Sequence, residues 1–380
     1  MKRDLIVFGE DWGALPSSTQ HLIKQLRRDR KVLWINSIGL RRPKLCGRDI
    51  QRAVRKLSEK RHCKAPQQNK AESSHFQSHT LLTLPAPRSR LARRLSRNLM
   101  AAQLRKHMDA MQLNEPILWT SLPTAGDLKH AFPTLPMVYY CGDDFSALAG
   151  VDHHCVAQHE QRLVANADII LAASERLYEK FPQSKTQLLS HGVDFELFSE
   201  AQARAADLPD NGRPTAGFYG SLSEWLDMDL LVNAARLSPQ WNFVFIGEEK
   251  VCLQRLKALP NTYFLGPKPH AHLPRYSQHW QASLLPFKHN AQIEACNPLK
   301  LKEYLAAGTP IIATEFPALS PYRAAINVVA NPLQLREALN TLHHFANLST
   351  LDKRDSARAL VRGDSWLAKA NLVERWLERL

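Results

Sequence analysis

Between Asn297 and Thr314 the chain reads NPLKLKEYLAAGTPIIAT, which puts a lysine and a glutamate three residues apart at the start of a helix. Asparagine favours the N-cap, proline the first helical position and glycine the left-handed stop. Asn297, Pro298 and Gly308 therefore predict a helix over 298–307. The first-turn N–H groups, that of Leu299 among them, point out of this end with the positive pole of the helix dipole and favour an anion. Lys300 adds a mobile positive charge. Glu303 lies on the same face one turn deeper, where a carboxylate can accept from the two hydroxyls of a diol. A phosphate followed by a ribose fits that pair. An ordinary βαβ helix with a solvated Lys–Glu pair fits the same residues. Three more segments end a predicted strand in small or charged residues: Gly220 and Ser221 after GFY, Glu248 after FVFIG, and Gly266 and Lys268 in YFLGPKP. Each reads either as a place where backbone approaches a ligand or as a plain βα turn.

These residues need a scaffold, and short apolar runs supply it. Strands are predicted at Leu5–Phe8, Lys31–Ile35, Leu81–Leu84, Pro116–Thr120, Met137–Cys141, Asp168–Ala173 and Thr186–Ser190. They do not alternate and are rich in β-branched and aromatic residues, as in a parallel sheet covered on both faces. The stretch SEAQARAADLPDNGRP, 199–214, reads as a linker, after which TAGFY, NFVFIG, TYFLG, ASLLPF, PIIAT and NVVA restart the pattern. The expected fold class is α/β, with two doubly wound, Rossmann-like domains. One spans 1–205 with a basic insertion at 41–106, and the other spans 206–364. A last helix, 365–380, carries Trp366, Leu367, Ala370, Val373, Trp376, Leu377 and Leu380 as an apolar stripe that needs a partner surface, expected on the N-terminal domain.

The 380 residues are 44% hydrophobic and 23% charged, a globular composition of about two domains. No secretory signal and no run long enough to span a membrane is expected. The six cysteines follow no metal-ligand spacing, and the run HAHLPRYSQH from His270 to His279 is broken by proline and arginine, so no metal is expected. The net charge of +14 is concentrated: 41–106 holds 18 Lys and Arg against three acids, a balance of +15, which leaves −1 for the rest. Within it Ile50, Val54 and Leu57, and again Leu91, Leu95 and Leu99, recur at helical spacing among arginines. Such a segment reads as a seat on an anionic lipid surface, as a nucleic-acid footprint or as a solvated helix face.

Together GEDWG with PSSTQHL, VLWINSIGLRRP, VYYCGDDFS, ADIILAASERL, HGVDFELF, GFYGSLSEW and NPLKLKEYLAAGTPIIAT resemble the nucleotide-sugar glycosyltransferases of GT-B fold, most closely the family 4-like group of bacterial surface polysaccharide synthesis. The resemblance implies two domains facing across a cleft, with Lys300 on the donor diphosphate and Glu303 on its ribose. Asn297, Pro298, Leu299, Gly220, Ser221, Glu248, Gly266 and Lys268 complete the donor side. Three features depart from the group. Ala295 stands where many members carry a first glutamate eight residues before Glu303, with Glu294 one place early. Ser221, Ser223, Glu224 and Trp225 replace a usual Arg and Lys. The basic insertion is long. Asp143 and Asp144, directly after a strand, are the first candidates for a base or acceptor-orienting group, and Glu10 and Asp11 the second. Trp12, Ser17, Ser18 and Thr19 are the candidate acceptor contacts.

The resemblance implies transfer of a sugar from a nucleotide-diphosphate-sugar co-substrate, without cofactor or metal, to a lipid-linked or growing saccharide. This would occur at the inner face of the cytoplasmic membrane, with Arg41 to Lys106 on anionic lipid and no nucleic acid. A nucleotide-sugar epimerase on the same plan and a basic nucleic-acid-binding protein are the alternatives.

Overall fold

The computed structural model describes residues 2–13, 17–37, 75–84, 89–147, 153–344 and 350–380. The chain divides into two units, Met1–Leu189 with Ala370–Leu380, and Ser190–Lys369.

The first unit is built on seven strands: β1 (Leu5–Phe8), β2 (Val32–Ile35), β3 (Phe76–His79), β4 (Ile117–Thr120), β5 (Met137–Cys141), β6 (Ile169–Ala172) and β7 (Thr186–Leu188). They lie in the order β3-β2-β1-β4-β5-β6-β7, every pair parallel, with Leu5 opposite both Val32 and Ile117. All residues of β1, β2, β4 and β5 are buried, which explains their unalternating apolar sequences. The third strand differs from expectation: it is Phe76–His79, whereas Leu81–Leu84 forms no strand. An edge strand pairs on one side only and needs little apolar surface, so FQSH suffices. Of the apolar run only Leu81 is buried, while Leu82 and Leu84 face solvent.

The Arg90–Met111 helix starts at Ser89, whose hydroxyl accepts from Ala92 N, and buries Ser96, Met100, Ala101, Leu104 and Met111. That face leaves Leu91, Leu95 and Leu99 outward, 79%, 63% and 43% exposed. Ile50, Val54 and Leu57 lie outside the described residues. The C-terminal helix, Trp366–Leu377, buries Trp366, Ala370, Val373 and Leu377 but leaves Leu367 exposed. Within the first unit Glu374 pairs with Arg30 and, at 3.5 Å, with Lys2, and Arg3 donates to the Leu380 carbonyl at 2.8 Å.

The second unit has six parallel strands, β8 (Thr215–Tyr219), β9 (Asn242–Ile246), β10 (Thr262–Phe264), β11 (Ala282–Leu285), β12 (Ile311–Ala313) and β13 (Ile326–Val328). Their order is β10-β9-β8-β11-β12-β13. The division falls at Leu189, earlier than the 205/206 boundary read from composition. The 199–214 stretch also packs onto the second unit rather than hanging as a linker. Ala205 and Leu208 are buried, Ala205 N donates to Arg275 O at 3.0 Å, and Gln202 N donates to Gln278 Oε1 at 2.9 Å. Small polar residues hid this role because the segment is held mainly by backbone hydrogen bonds. Among the described residues no helix is long and apolar enough to cross a membrane.

Candidate functional site

In the second unit the winding of the sheet reverses between β8 and β11, and the C-terminal strand ends beside such a reversal are where open α/β sheets take ligands. Gly220, Gly247 and Gly266 follow β8, β9 and β10 with φ of +129°, +146° and +66°. A Cβ on Gly247 would overlap the Gly220 carbonyl oxygen, and one on Gly220 would overlap Cε of Lys300. The glycines therefore bring two loops and the lysine stem together.

Lys300 belongs to the Leu299–Ala307 helix, which closes on Gly308 at φ +74° as expected. Its start is shifted: the N-cap is Pro298, not Asn297, and no side chain caps it. Leu301 N donates to Pro298 O at 3.1 Å, and no side-chain cap occupies the N–H groups of Leu299 and Lys300 ahead of it. The Lys300 ammonium lies 5.7 Å from the Phe218 ring centroid, and no hydrogen bond or ion pair holds it among the described residues. Burial lowers its pKa, and the Glu303 charge restores part of the shift.

Glu303 is not the solvated partner of Lys300. It is 8% exposed, Tyr219 Oη donates to its Oε2 at 2.8 Å, and His270 Nε2 to its Oε1 at 2.7 Å. Burial alone would raise its carboxyl. The hydrogen bonds from His270 and Tyr219 and the Lys300 charge outweigh burial and hold it below the ordinary range. Tyr219 ends β8, and its backbone N–H donates to Tyr304 Oη at 3.2 Å, which ties strand to helix. Neither Tyr219 nor His270 was read from the sequence as a site residue. Tyr219 had a signal, its place just before Gly220, whereas His270 was visible only as part of an uninformative histidine run.

Other donor-side candidates are engaged elsewhere. Lys268 pairs with Asp207 at 2.7 Å, and that carboxylate also accepts from Tyr276 Oη at 2.7 Å. The Glu248 side chain is 56% exposed and pairs with Lys250 at 2.5 Å, while its carbonyl accepts from Leu222 N at 2.9 Å. Ser221 is half-buried beside Gly220. Ala295, in place of the absent first glutamate, is buried, and Glu294 lies 3.1 Å from His289.

The first unit has its own group of acids where β1 and β5 end. Burial raises the Glu10 carboxyl, and the charges of Asp143 and Asp11 add to the effect. Glu10 Oε1 is buried and accepts no hydrogen bond among the described residues. Asp143 is exposed. Asp144 is fully engaged, 2.8 Å from Lys180 Nζ and accepting from Ser146 N at 3.0 Å and Ser146 Oγ at 2.6 Å. Burial would raise its carboxyl, but these bonds lower it. Asp11 Oδ1 accepts from Ser37 N at 3.2 Å and Ser37 Oγ at 2.9 Å.

Trp12 packs at 4.7 Å on Trp34 and 4.5 Å on Phe76. Ser17 caps the Ser18–Leu26 helix by accepting from Gln20 N, Ser18 is buried with its side chain hydrogen-bonded to Tyr140, and Thr19 Oγ1 lies 2.7 Å from Ser121 Oγ. Among the described residues no group of three or more His, Cys, Asp or Glu could hold a metal ion.

Residues 213–344 match the family model of the glycosyl transferases group 1. A Bacillus subtilis (strain 168) protein described as a teichuronic acid biosynthesis glycosyltransferase, TuaH, is 29% identical over 224 residues. That match takes in 53% of this chain and 56% of the relative, so the chain spans about half the length of the curated relative it matches. In fold, the chain is similar to HepE of Anabaena in complex with UDP and glucose, at TM-score 0.67, 14% identity and full coverage of both chains. It is likewise similar to sucrose-phosphate synthase of Thermosynechococcus elongatus, at TM-score 0.69 and 15% identity over 100% of this chain and 99% of the other. The matched domain lies within the second unit, and the chain shares the two-domain GT-B fold of these solved glycosyltransferases. Neither the family model nor these relatives favours an epimerase or a nucleic-acid-binding protein.

Proposed function

We propose that the protein transfers a sugar from a nucleotide-diphosphate-sugar to a lipid-linked or growing saccharide in bacterial surface polysaccharide synthesis. The observation that carries this reading is Lys300, an ammonium over the Phe218 ring that no hydrogen bond or ion pair holds among the described residues, in the first turn of a helix and beside a glycine whose missing side chain makes room for it. Charge that develops on a leaving diphosphate is stabilised by fixed donors already aimed at it. Lys300 and the first-turn N–H groups supply them, so the reading calls on no metal or other cofactor. Glu303 takes the ribose. On the first unit, Glu10 has the properties of the group that orients or deprotonates an acceptor hydroxyl. The named role of TuaH and the UDP held by HepE agree with this chemistry.

The reading includes docking on the inner face of the cytoplasmic membrane. Leu91, Leu95 and Leu99 are exposed on the helix that carries Arg90, Arg94 and Arg97, a basic and apolar face suited to anionic lipid.

A thermal-shift screen against UDP, GDP, ADP, TDP and their sugars tests the donor assignment, since a ligand bound only by the folded state raises the melting temperature. One nucleotide series should stabilise the protein, and Lys300→Ala should weaken its binding about 10- to 100-fold, the worth of a charged hydrogen bond. Unchanged affinity in that variant would remove Lys300 from the diphosphate.

A further inference from the structure

We infer that His270 is a positioning residue of the donor site, holding the Glu303 carboxylate in the one orientation that accepts a ribose diol. The inference rests on the donor reading above and adds to it a residue that sets sugar discrimination.

A glutamate carboxyl turns about a broad, nearly two-fold last torsion, so a single hydrogen bond leaves its plane loosely defined. At Glu303 each oxygen has its own donor from a different element: Tyr219 at the end of β8 on Oε2 at 2.8 Å, and His270 on Oε1 at 2.7 Å. Two bonds at opposite ends fix the plane. Of the roughly four lone-pair sites of a carboxylate, two are taken and two remain for a pair of vicinal hydroxyls.

The imidazole is itself fixed from three directions. It opens the His270–His272 turn, where Pro269 has φ −56°, and the Lys268–Asp207 pair at 2.7 Å ties down the preceding loop. The Phe198 ring meets the imidazole edge-on, with centroids 5.4 Å apart. The His270 side chain is 18% exposed and that of Glu303 10%, so the contact is shielded from water without being sealed off. A loop residue tethered this way acts on the ligand only through the carboxylate it orients.

The test is calorimetric titration of the full chain with UDP and 2′-deoxy-UDP, with the guanosine and adenosine pairs run in parallel. The variants are H270A, H270Q and E303A, each checked for folding by its melting curve. Wild type should prefer the ribonucleotide of the pair it binds, and E303A should abolish the preference. H270A should cut it about tenfold, as expected for losing one hydrogen bond to a charged group. H270Q, whose amide N–H can reach the same oxygen, should restore most of it. If E303A loses the preference and H270A keeps it, the inference fails while the donor reading stands. If H270Q is as defective as H270A, the ring's packing on Phe198 rather than its hydrogen bond is responsible, and the inference again fails. If wild type binds none of the three pairs, or binds without preference, the ribose role of Glu303 falls and the inference falls with it.

Discussion

Glu10 and Asp144 are both acids that follow strands of one sheet, yet their surroundings drive their carboxyls in opposite directions. Glu10 is desolvated beside Asp143 and has an oxygen with no donor, so its pKa rises. Lys180 and Ser146 surround Asp144, so its pKa falls in spite of burial. A base needs a free lone pair and a pKa nearer the working pH, which favours Glu10 over Asp144, although desolvation and the Asp144 charge raise the Asp143 carboxyl too. Glu10→Gln should lower turnover about 100-fold or more, in the range of lost acid–base catalysis, while nucleotide binding stays at the wild-type level. The wild-type rate should climb with pH through a midpoint above the ordinary 4.5 as Glu10 ionises. Asp144→Asn should do the reverse. It keeps turnover per folded molecule and loses about 1–3 kcal/mol of stability, because Lys180, which also lies 2.8 Å from Glu160, loses a charged partner. Urea titration and steady-state rates on the two variants separate these roles.

The Leu299–Ala307 helix does two jobs on two faces. Lys300 and Glu303 lie towards Gly220 and Tyr219 at the end of β8, the proposed donor side, while Lys302 is buried against the segments where the chain enters and leaves the second unit. Its ammonium donates to His191 O at 2.6 Å and lies 2.7 Å from Asp364, which Lys369 also meets at 2.7 Å. Val193 N donates to Asp364 O at 2.9 Å, so the entering and leaving segments are paired with each other as well as with the helix. Burial lowers the Lys302 pKa to about 8, and the attraction of Asp364 only partly opposes it. The unfolded chain keeps this lysine protonated to about 10.5, whereas the folded one releases the proton near 8. Between those values the unfolded state binds more protons, and the Lys302 contribution makes folding stability rise with pH, by at most about 1.4 kcal/mol per pH unit. Below pH 8 this contribution is flat. Lys302→Met should remove the rise, which urea titrations of wild type and variant at pH 7, 8, 9 and 9.5 would show as a difference in slope. Parallel slopes would mean that Lys302 titrates normally.

At the scale of the whole molecule the charge distribution matters most, because a balance of +15 within 41–106 creates a field that a neutral remainder does not cancel. Each Lys or Arg near an anionic leaflet contributes roughly 1 kcal/mol, and the attraction fades within a Debye length of about 8–10 Å as salt rises. The protein should therefore sediment with anionic liposomes and not with neutral ones. Arg93 lies 3.6 Å from Asp127 and Arg105 is held by the Phe132 ring and Ala131 O, which leaves Arg90, Arg94 and Arg97 as the arginines to replace on this helix. Changing those three to Gln should lower the salt-sensitive part of binding, and Leu91→Ser with Leu95→Ser the part that salt does not reverse. Nucleotide-induced stabilisation should survive both sets, since Lys300 and Glu303 belong to the other unit. Indifference of the wild type to anionic liposomes at low salt would point to an acceptor free in solution.

The sequence by itself determined both doubly wound sheets, because strands buried on both faces leave apolar runs that alternate with helices. It also determined the helix of Lys300 and Glu303, because a Pro near the start and a Gly at the stop are local signals. It misplaced β3 because an edge strand needs no apolar run, and it read 199–214 as free because backbone hydrogen bonds leave little mark on composition. Only the tertiary structure decided which polar groups meet. Tyr219, His270 and Glu303 are brought together from positions up to 84 residues apart. Burial and neighbouring charge then sort like functional groups, leaving Lys300 without an ion pair among the described residues and Lys302 paired with Asp364, Glu10 raised and Asp144 lowered. Those differences arise from desolvation and Coulomb attraction between residues distant in the chain, which no local pattern records.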